Sequence, residues 1–239
     1  MAGHSKWANI KHKKSRQDAQ RGKIFTKISK EIMVAVQQGG TDADTNFKLR
    51  LAIQKAKSNN MPNDNIERAI KRGTGDLDGK NFEEIVYEGY GPGGAAVMLD
   101  ILTDNRNRTA GEIRHIFSKN NGNLGESGCV SWMFHRKGLF VVEKNDEVEE
   151  DELLLVALEA GAEDVKSTDE IFQITCEPEE FETVKKALED NDYKLEVEEV
   201  SMVPENTVSL SESDLEKMEK LEEVLDDHND VQNIYTNVE

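Results

Sequence analysis

The sequence predicts an α+β protein of three domains: a small helical domain at the N-terminal end and two ferredoxin-like α/β domains, one inserted into the other. Two observations support this prediction. Apolar residues recur with a helical period of about 3.6 residues up to position 73, and with the two-residue period of a strand from position 85. Between positions 139 and 202, the predicted elements follow the order strand, helix, strand, strand, helix, strand, which is typical of a ferredoxin-like domain.

The first domain, residues 1–80, is predicted to contain three short helices. An apolar stripe marks the first helix, and the pair Gly39-Gly40 ends it. A second stripe predicts a helix that is broken at Met61-Pro62, and a third helix stops at Gly73. The tract GTGDLDGK that follows is rich in Gly and Asp, which is typical of a linker.

The second domain is predicted to be discontinuous, formed by residues 81–136 and 205–239. Its first segment holds one helix, Thr109–Asn120, which is predicted to begin with a capping box of Thr109 and Glu112. After Pro204 the order is strand, helix, strand, so this tail supplies the helix and strand that the first segment lacks. The predicted strands are Ile85–Glu88, Ala95–Leu102, Val130–His135, Thr207–Leu210 and Val231–Thr236.

The inserted third domain, residues 137–204, is strongly acidic. Residues 138–204 carry 5 Lys+Arg against 22 Asp+Glu, a net charge of −17, which makes a phosphate-binding face unfavourable there. Its predicted strands and helices are Leu139–Glu143, Asp151–Ala160, Asp164–Ser167, Ile171–Cys176, Glu179–Asp190 and Lys194–Met202.

Composition excludes several classes of protein. No stretch approaches the roughly 18 apolar residues that span a bilayer, so a membrane protein is excluded. The basic start of the chain lacks the hydrophobic run of a secretory signal. Cys129 and Cys176 are the only cysteines and lie far apart, which excludes a disulfide scaffold and predicts a reducing, cytoplasmic location.

The net charge of −18 is divided unevenly along the chain. Residues 1–80 hold 17 Lys+Arg against 8 Asp+Glu, a net of +9, whereas residues 81–239 hold 13 against 40, a net of −27. Within the first 30 residues the count is 9 against 1. Charge asymmetry of this kind indicates a basic arm that binds a polyanion.

The basic tract GHSKWANIKHKKSRQDAQRGK, Gly3–Lys23, and the helix after it are the first candidate site. Cationic side chains at this density suit contacts with phosphates, and Trp7 can stack on an unpaired base or dock the arm on the domain. The alternative is a solvated basic tail. The candidate nucleic-acid-binding residues here are Lys6, Trp7, Lys11, Lys13, Lys14, Arg16, Arg21, Lys23 and Lys27.

The tract TDNRNRT, Thr103–Thr109, is the second candidate. Arg106 and Arg108 come just before the predicted start of a helix, where the helix dipole disfavours cations unless an anion binds. We therefore predict a second phosphate site, which Arg114 extends. The alternative is that Asp104 or Glu112 pairs with these arginines.

No motif predicts an enzyme. The loop Gly89–Gly94 contains GxGxxG, but a strand-like segment follows it where a dinucleotide site needs a helix, so a hairpin turn is favoured over a phosphate-ligand enzyme. Gly125–Cys129 matches a nucleophile elbow only in part. The sequence shows no HExxH or Walker motif and only isolated histidines, so we expect no metal, no cofactor and no small-molecule substrate.

Six tracts of the sequence are distinctive: MAGHSKWANIKHKK, NMPNDNIERAIKRG, YEGYGPGGAA, LTDNRNRT, IRHIFSKNNGNLGESGCVSWMF and KGLFVVE. Through these tracts the sequence resembles the YebC family, commonly described as probable transcriptional regulators. Its mitochondrial relatives include the translational activator of cytochrome c oxidase. The resemblance implies three domains, one discontinuous, and a cytoplasmic regulator without catalytic residues. Some members are described as DNA-binding regulators, and others act on ribosomes, where they assist translation of proline-rich stretches.

Together these observations predict a non-enzymatic, nucleic-acid-binding regulator of gene expression. The family resemblance favours DNA and control of transcription. The alternative is an RNA-associated factor that binds the ribosome, and two observations favour it: a body of net charge −27 disfavours duplex DNA, and no clear helix-turn-helix signature is present to read a major groove.

Overall fold

The computed structural model describes residues 17–75, 82–145 and 148–239. Three helices come first, and two four-stranded antiparallel sheets with their helices follow. In chain order the helices and strands are α1 (Gln17–Gly39), α2 (Phe47–Ser58), α3 (Asn63–Thr74), β1 (Glu83–Tyr90), β2 (Ala96–Thr103), α4 (Arg106–Lys119), β3 (Asn123–Leu124), β4 (Phe134–Glu143), α5 (Glu150–Glu159), β5 (Ala162–Ser167), β6 (Ile171–Cys176), α6 (Phe181–Asp190), β7 (Leu195–Pro204), α7 (Glu212–Asp226) and β8 (Val231–Thr236).

The three predicted N-terminal helices are confirmed. Ile28 and Ile32 of α1 pack on Leu49 of α2 and Ile66 of α3 in one apolar cluster. The turn between α1 and α2 is fixed by Asn46, whose side chain accepts a hydrogen bond from Leu49 N and donates one to Ala35 O at 2.7 Å. One side chain thus caps α2 and ties it to α1.

The first sheet, here called sheet A, has the strand order β3-β1-β2-β8. Helices α4 and α7 cover one of its faces. Ile113 and Phe117 of α4 and Leu221 of α7 pack there on Val97 and Leu99 of β2. Sheet A therefore combines strands from both sides of the acidic segment, and β8 completes it from the C-terminal end of the chain.

The second sheet, sheet B, has the strand order β5-β6-β4-β7 and is antiparallel throughout. Its elements follow the predicted ferredoxin-like order, and each begins and ends within two residues of the predicted range except β4. Phe140, Leu153, Ile174 and Val184 form its core with α5 and α6. The predicted α+β fold is confirmed, while the domain boundaries near residues 80, 136 and 204 stay a prediction.

The predicted strand Val130–His135 is wrong. Residues Ser131–Met133 form a 3₁₀ turn, and β4 runs without interruption from Phe134 to Glu143. Val130 and Phe134 are buried while Trp132 is 64% exposed. The apolar residues 130, 132 and 134 have the spacing of one face of a strand, but the turn places only residues 130 and 134 on the inside.

Two other predictions for the discontinuous domain are wrong. Helix α4 begins at Arg106, not Thr109, because the side chain of Asn105 caps it by accepting a hydrogen bond from Arg108 N at 3.1 Å. The predicted strand Thr207–Leu210 is reduced to a single parallel bridge between Val208 and Val238. Among the helices of the described ranges, none is both long and apolar enough to cross a membrane.

Candidate nucleic-acid interface

Residues 1–16, the part of the predicted basic arm that precedes α1, lie outside the described residues. This holds for six of the predicted nucleic-acid-binding residues, which stay predictions: Lys6, Trp7, Lys11, Lys13, Lys14 and Arg16.

Lysines on one face of α1 hold the helical region against sheet A. Lys23 Nζ lies 2.7 Å from Asp227 Oδ1, and Lys27 Nζ lies 3.2 Å from Asp226 Oδ1. One turn further on, Lys30 Nζ lies 2.8 Å from a carboxylate oxygen of the loop before β8. The side chain of Lys27 is largely buried, so this lysine faces protein, whereas Lys23 and Arg21 keep exposed surface.

The C-terminal end of α7 explains why lysines bind there. Its last carbonyl groups have no helical partner and carry partial negative charge. Lys27 Nζ donates to Asp226 O at 2.6 Å, and Lys30 Nζ donates to Asn229 O at 3.1 Å and to Leu102 O at 3.2 Å. Lys27 therefore satisfies the end of α7, and Lys30 satisfies carbonyl groups of the loop before β8 and of β2.

Asp230 is the centre of the contact between α1, α4 and sheet A. Its carboxylate, which is 8% exposed, accepts hydrogen bonds from Lys30 Nζ at 2.8 Å, Arg108 Nη2 at 2.9 Å and the Thr109 hydroxyl at 2.7 Å. Burial alone would raise the pKa of Asp230, but these three donors outweigh it and hold that pKa well below its usual range.

The arginines at the start of α4 fall into two groups. Arg108 is paired with Asp104 and Asp230, both at 2.9 Å. For Arg108, the alternative to a phosphate site therefore applies, namely pairing with nearby acidic residues. These carboxylates raise the pKa of Arg108. Arg106 and Arg114 lie beside Tyr87, whose hydroxyl donates to Arg106 O at 3.3 Å, and within the described ranges neither forms an ion pair.

Glu112, His228 and Asp230 are the one group of three side chains in the described ranges with ligand atoms close enough to hold a metal. The hydrogen-bond partners of these three side chains argue against a metal ion at this position. Three donors already occupy the Asp230 carboxylate, and two of them are cations. His228 Nε2 lies 2.9 Å from Glu112 Oε2 and its Nδ1 accepts from Asp230 N. The group is an ion-pair and hydrogen-bond network.

The glycine-rich loop Gly89–Gly94 forms a hairpin turn, as predicted. Strands β1 and β2 pair antiparallel up to Tyr90 and Ala96, so no helix follows the loop. Gly93 adopts φ +67°, and a Cβ atom there would lie 2.5 Å from Leu210 Cδ2. Close packing on the C-terminal segment therefore accounts for this glycine.

The sequence did not single out Glu88, which organises the loop after β3. Its buried carboxylate accepts hydrogen bonds from three backbone N–H groups: Gly128 at 2.7 Å, Val130 at 2.9 Å and Ser131 at 2.7 Å. Burial raises the pKa of Glu88, but the three donors together lower it below its ordinary value. The same loop presents Trp132, whose Nε1 donates to Cys129 O at 3.2 Å.

Comparison with known proteins gives consistent matches over nearly the whole chain. Two family models match, described as "TACO1/YebC protein N-terminal domain" over residues 5–76 and "TACO1/YebC second and third domain" over residues 82–238. A "Probable transcriptional regulatory protein" of Natranaerobius thermophilus is 59% identical over 239 residues, covering 99% of this chain and 96% of the relative. One of Syntrophomonas wolfei is 60% identical, covering 100% and 96%.

A solved structure also matches this chain. The crystal structure of a conserved hypothetical protein, Aq1575 from Aquifex aeolicus, is similar with a TM-score of 0.78 and 49% sequence identity. The match covers 93% of this chain and 91% of that one, so the similarity extends over the helical region and both sheets.

Proposed function

Because the chain belongs to the TACO1/YebC family, we propose that it is a non-enzymatic regulator of gene expression that binds nucleic acid through its basic N-terminal region. The single observation that supports this most strongly is the charge of the first 30 residues, 9 Lys+Arg against 1 Asp+Glu, on a chain of net charge −18. The names of the relatives, probable transcriptional regulatory proteins, support the regulatory role.

The contacts of α1 and α4 separate the basic residues that are paired within the fold from those that remain available to a nucleic acid. Lys27 and Arg108 hold the protein together through Asp226 and Asp230, so their charge is largely neutralised within the fold. The proposed phosphate contacts therefore fall to the arm, to Arg21 at the exposed start of α1, and to the pair Arg106 and Arg114 on α4. Lys23 keeps exposed surface but is already paired with an aspartate of the loop after α7. Contacts of this kind fix position on a nucleic acid without reading its sequence.

Two targets are compatible with this binding surface. The relatives' names favour DNA and transcription. Structured RNA, including ribosomal RNA, is the second candidate, and it is favoured by the net charge of −27 over residues 81–239, which repels a long duplex lying along the body.

Binding of the full chain to a duplex DNA and to ribosomal RNA, measured over a series of salt concentrations, tests both statements. The variant replaces Lys6, Lys11, Lys13, Lys14 and Arg16 by Gln. Its affinity is expected to fall and its salt dependence to weaken by about 0.9 in log–log slope for each lost contact on duplex DNA. The matched control replaces five exposed lysines of the acidic body by Gln, namely Lys166, Lys186, Lys194, Lys217 and Lys220.

Equal binding by the arm variant and the wild type would refute the proposed role of the arm. Tighter binding to ribosomal RNA than to duplex DNA at the same salt would assign the protein to translation, and the reverse would assign it to transcription.

A further inference from the structure

The face of sheet B that points away from α5 and α6 is apolar and buried. Leu139 and Val141 of β4, Ile171 of β6 and Val197 of β7 form one cluster on this face, and each is at most 6% exposed. Within the described ranges, Val203 is the one further apolar side chain that packs on the cluster, and it belongs to β7 itself. An antiparallel sheet commonly leaves its second face to water, so burial of this face calls for a cover.

Polar side chains on the same face are buried as well. Residues that pair across an antiparallel sheet point to one face, which places Gln173, Thr175 and Ser201 beside the apolar cluster. Each of the three is at most 9% exposed. Buried amide and hydroxyl groups need hydrogen-bond partners, so a segment that suits this face carries polar as well as apolar side chains.

The charge of this face favours a cationic segment. Glu199 of β7 lies directly across from Leu139 and is exposed. Lys137 and Lys166 lie on the same face, but acidic side chains of β5 already pair with both. Residues 138–204 as a whole have a net charge of −17. The face therefore suits a segment that combines lysines with large apolar side chains.

Residues 1–16 have this composition. They hold five Lys+Arg and no Asp+Glu, together with Trp7 and Ile10. The other two stretches outside the described ranges are acidic: residues 76–81 read DLDGKN and residues 146–147 are Asp and Glu.

The chain is long enough to bring residues 1–16 to sheet B. Helix α1 is fixed against the end of α7 and the loop before β8, and β8 in turn contacts β7 of sheet B. Sixteen residues can extend over about 50 Å. The ten residues of β7 extend over about 33 Å, so the reach of the arm exceeds the length of this strand.

We propose that residues 1–16 dock on this face of sheet B in the absence of nucleic acid, with Trp7 and Ile10 on the apolar cluster and lysines beside Glu199. The acidic domain then holds the arm to which the proposed function assigns the phosphate contacts, so a nucleic acid has to displace it. This consequence rests on the proposed function, whereas the docking itself is tested without nucleic acid.

Tryptophan fluorescence tests the docking, because Trp7 and Trp132 are the only tryptophans of the chain. Trp132 is 64% exposed, so Trp132→Phe leaves the fold intact and makes Trp7 the single fluorophore. In this full-length variant the emission of Trp7 is expected to be shifted to the blue, and acrylamide is expected to quench it less than in the urea-unfolded chain.

Adding Glu199→Lys to the single-tryptophan chain is expected to shift the emission of Trp7 to the red and to increase its quenching. The matched control is Glu179→Lys, an exposed change of the same charge beside α6, which leaves both unaltered. Ile10→Asp lies in the arm and cannot unfold the domains, so it covers the case in which Glu199→Lys does not fold. Ile10→Asp is expected to release Trp7, whereas Ser15→Asp, which adds the same charge and removes no apolar side chain, is not.

Binding to ribosomal RNA then tests the competition. Glu199→Lys is expected to bind at least about threefold more tightly than Glu179→Lys at the same salt, because a larger fraction of the arm is open to phosphates. If the RNA bound these two variants equally, the competition would be refuted.

The fluorescence outcomes separate the docking from the proposed function. Emission and quenching of Trp7 equal to those of the unfolded chain would overturn the docking. Protection of Trp7 that rises with protein concentration would assign the face to the arm of a second copy and would also overturn docking within one chain. A protected Trp7, together with equal RNA binding by the wild type and the five-residue arm variant, would confirm the docking and refute the arm's role in the proposed function.

Discussion

The ammonium group of Lys30 lies 2.8 Å from the carboxylate of Asp230, which is 200 residues further along the chain. Both side chains are almost fully buried, at 13% and 8% exposure. This ion pair joins the N-terminal helical region to the last loop before β8, and Arg108 and Thr109 bind the same carboxylate from α4. Three segments far apart in sequence thus depend on one acidic side chain.

Asp230→Ala is expected to lower the free energy of unfolding by about 3–5 kcal/mol, because it leaves the buried ammonium group of Lys30 without its counterion. Chemical denaturation of the two proteins at neutral pH measures the difference. Asp169→Ala, at an exposed position of the acidic domain, serves as the control and is expected to change stability by less than about 0.5 kcal/mol. A similar loss in both variants would show that the Asp230 cluster has no special role.

The depressed pKa of Asp230 predicts a stability that depends on pH. A carboxylate whose pKa is lower in the folded than in the unfolded state stabilises the fold above its unfolded pKa of about 3.9. That contribution is lost as the pH falls below about 4 toward the folded value. The difference in unfolding free energy between the wild type and Asp230→Asn should therefore shrink from about pH 7 to about pH 3. A difference that stays constant over that range would contradict the prediction.

The fold could be predicted from the sequence where one local pattern determines each element. The apolar stripes of α1 to α3 and the element order of the acidic domain are of this kind. The errors arose where two structures share one pattern. Val130, Trp132 and Phe134 have the spacing of residues on one face of a strand, yet they lie at a 3₁₀ turn that buries only Val130 and Phe134. Asn105 caps α4 in place of Thr109.

The candidate site could be predicted only in part, because a sequence shows charges but not their partners. The sequence groups Lys23 and Lys27 as phosphate-binding candidates, but Lys27 lies 199 residues from Asp226, the aspartate that it contacts. Glu88 was missed because a single acidic residue in a strand gives no signal that it will accept three backbone N–H groups. The bulge at Gln232 in β8 depends on the register between β2 and β8, which no local pattern sets.

Glu88→Gln is expected to loosen the loop after β3. A glutamine offers one oxygen acceptor in place of two and no charge, so it cannot satisfy the N–H groups of Gly128, Val130 and Ser131 together. We expect stability to fall by about 1–3 kcal/mol and hydrogen exchange at these three amides to speed up by at least about tenfold. Glu126→Gln, an exposed change in the same loop, is expected to leave exchange unaltered. Equal protection in both variants would show that the Glu88 carboxylate does not hold the loop.

The two groups of arginine on α4 are expected to respond differently to substitution. Replacing Arg106 and Arg114 by Ala should weaken binding to a polyanion and reduce its log–log salt slope by up to about 1.8, with no change in melting temperature, because neither residue has an ion pair within the described ranges. Arg108→Ala should instead lower the free energy of unfolding by about 1–2 kcal/mol, since it removes one donor from the buried Asp230 carboxylate.

Replacing the exposed Arg136 and Lys186 by Ala controls for net charge. Binding and melting curves on the same preparations separate the two effects. If the double variant of Arg106 and Arg114 bound as tightly as this control, the phosphate site on α4 would have to be abandoned, and the arm alone would have to account for the binding.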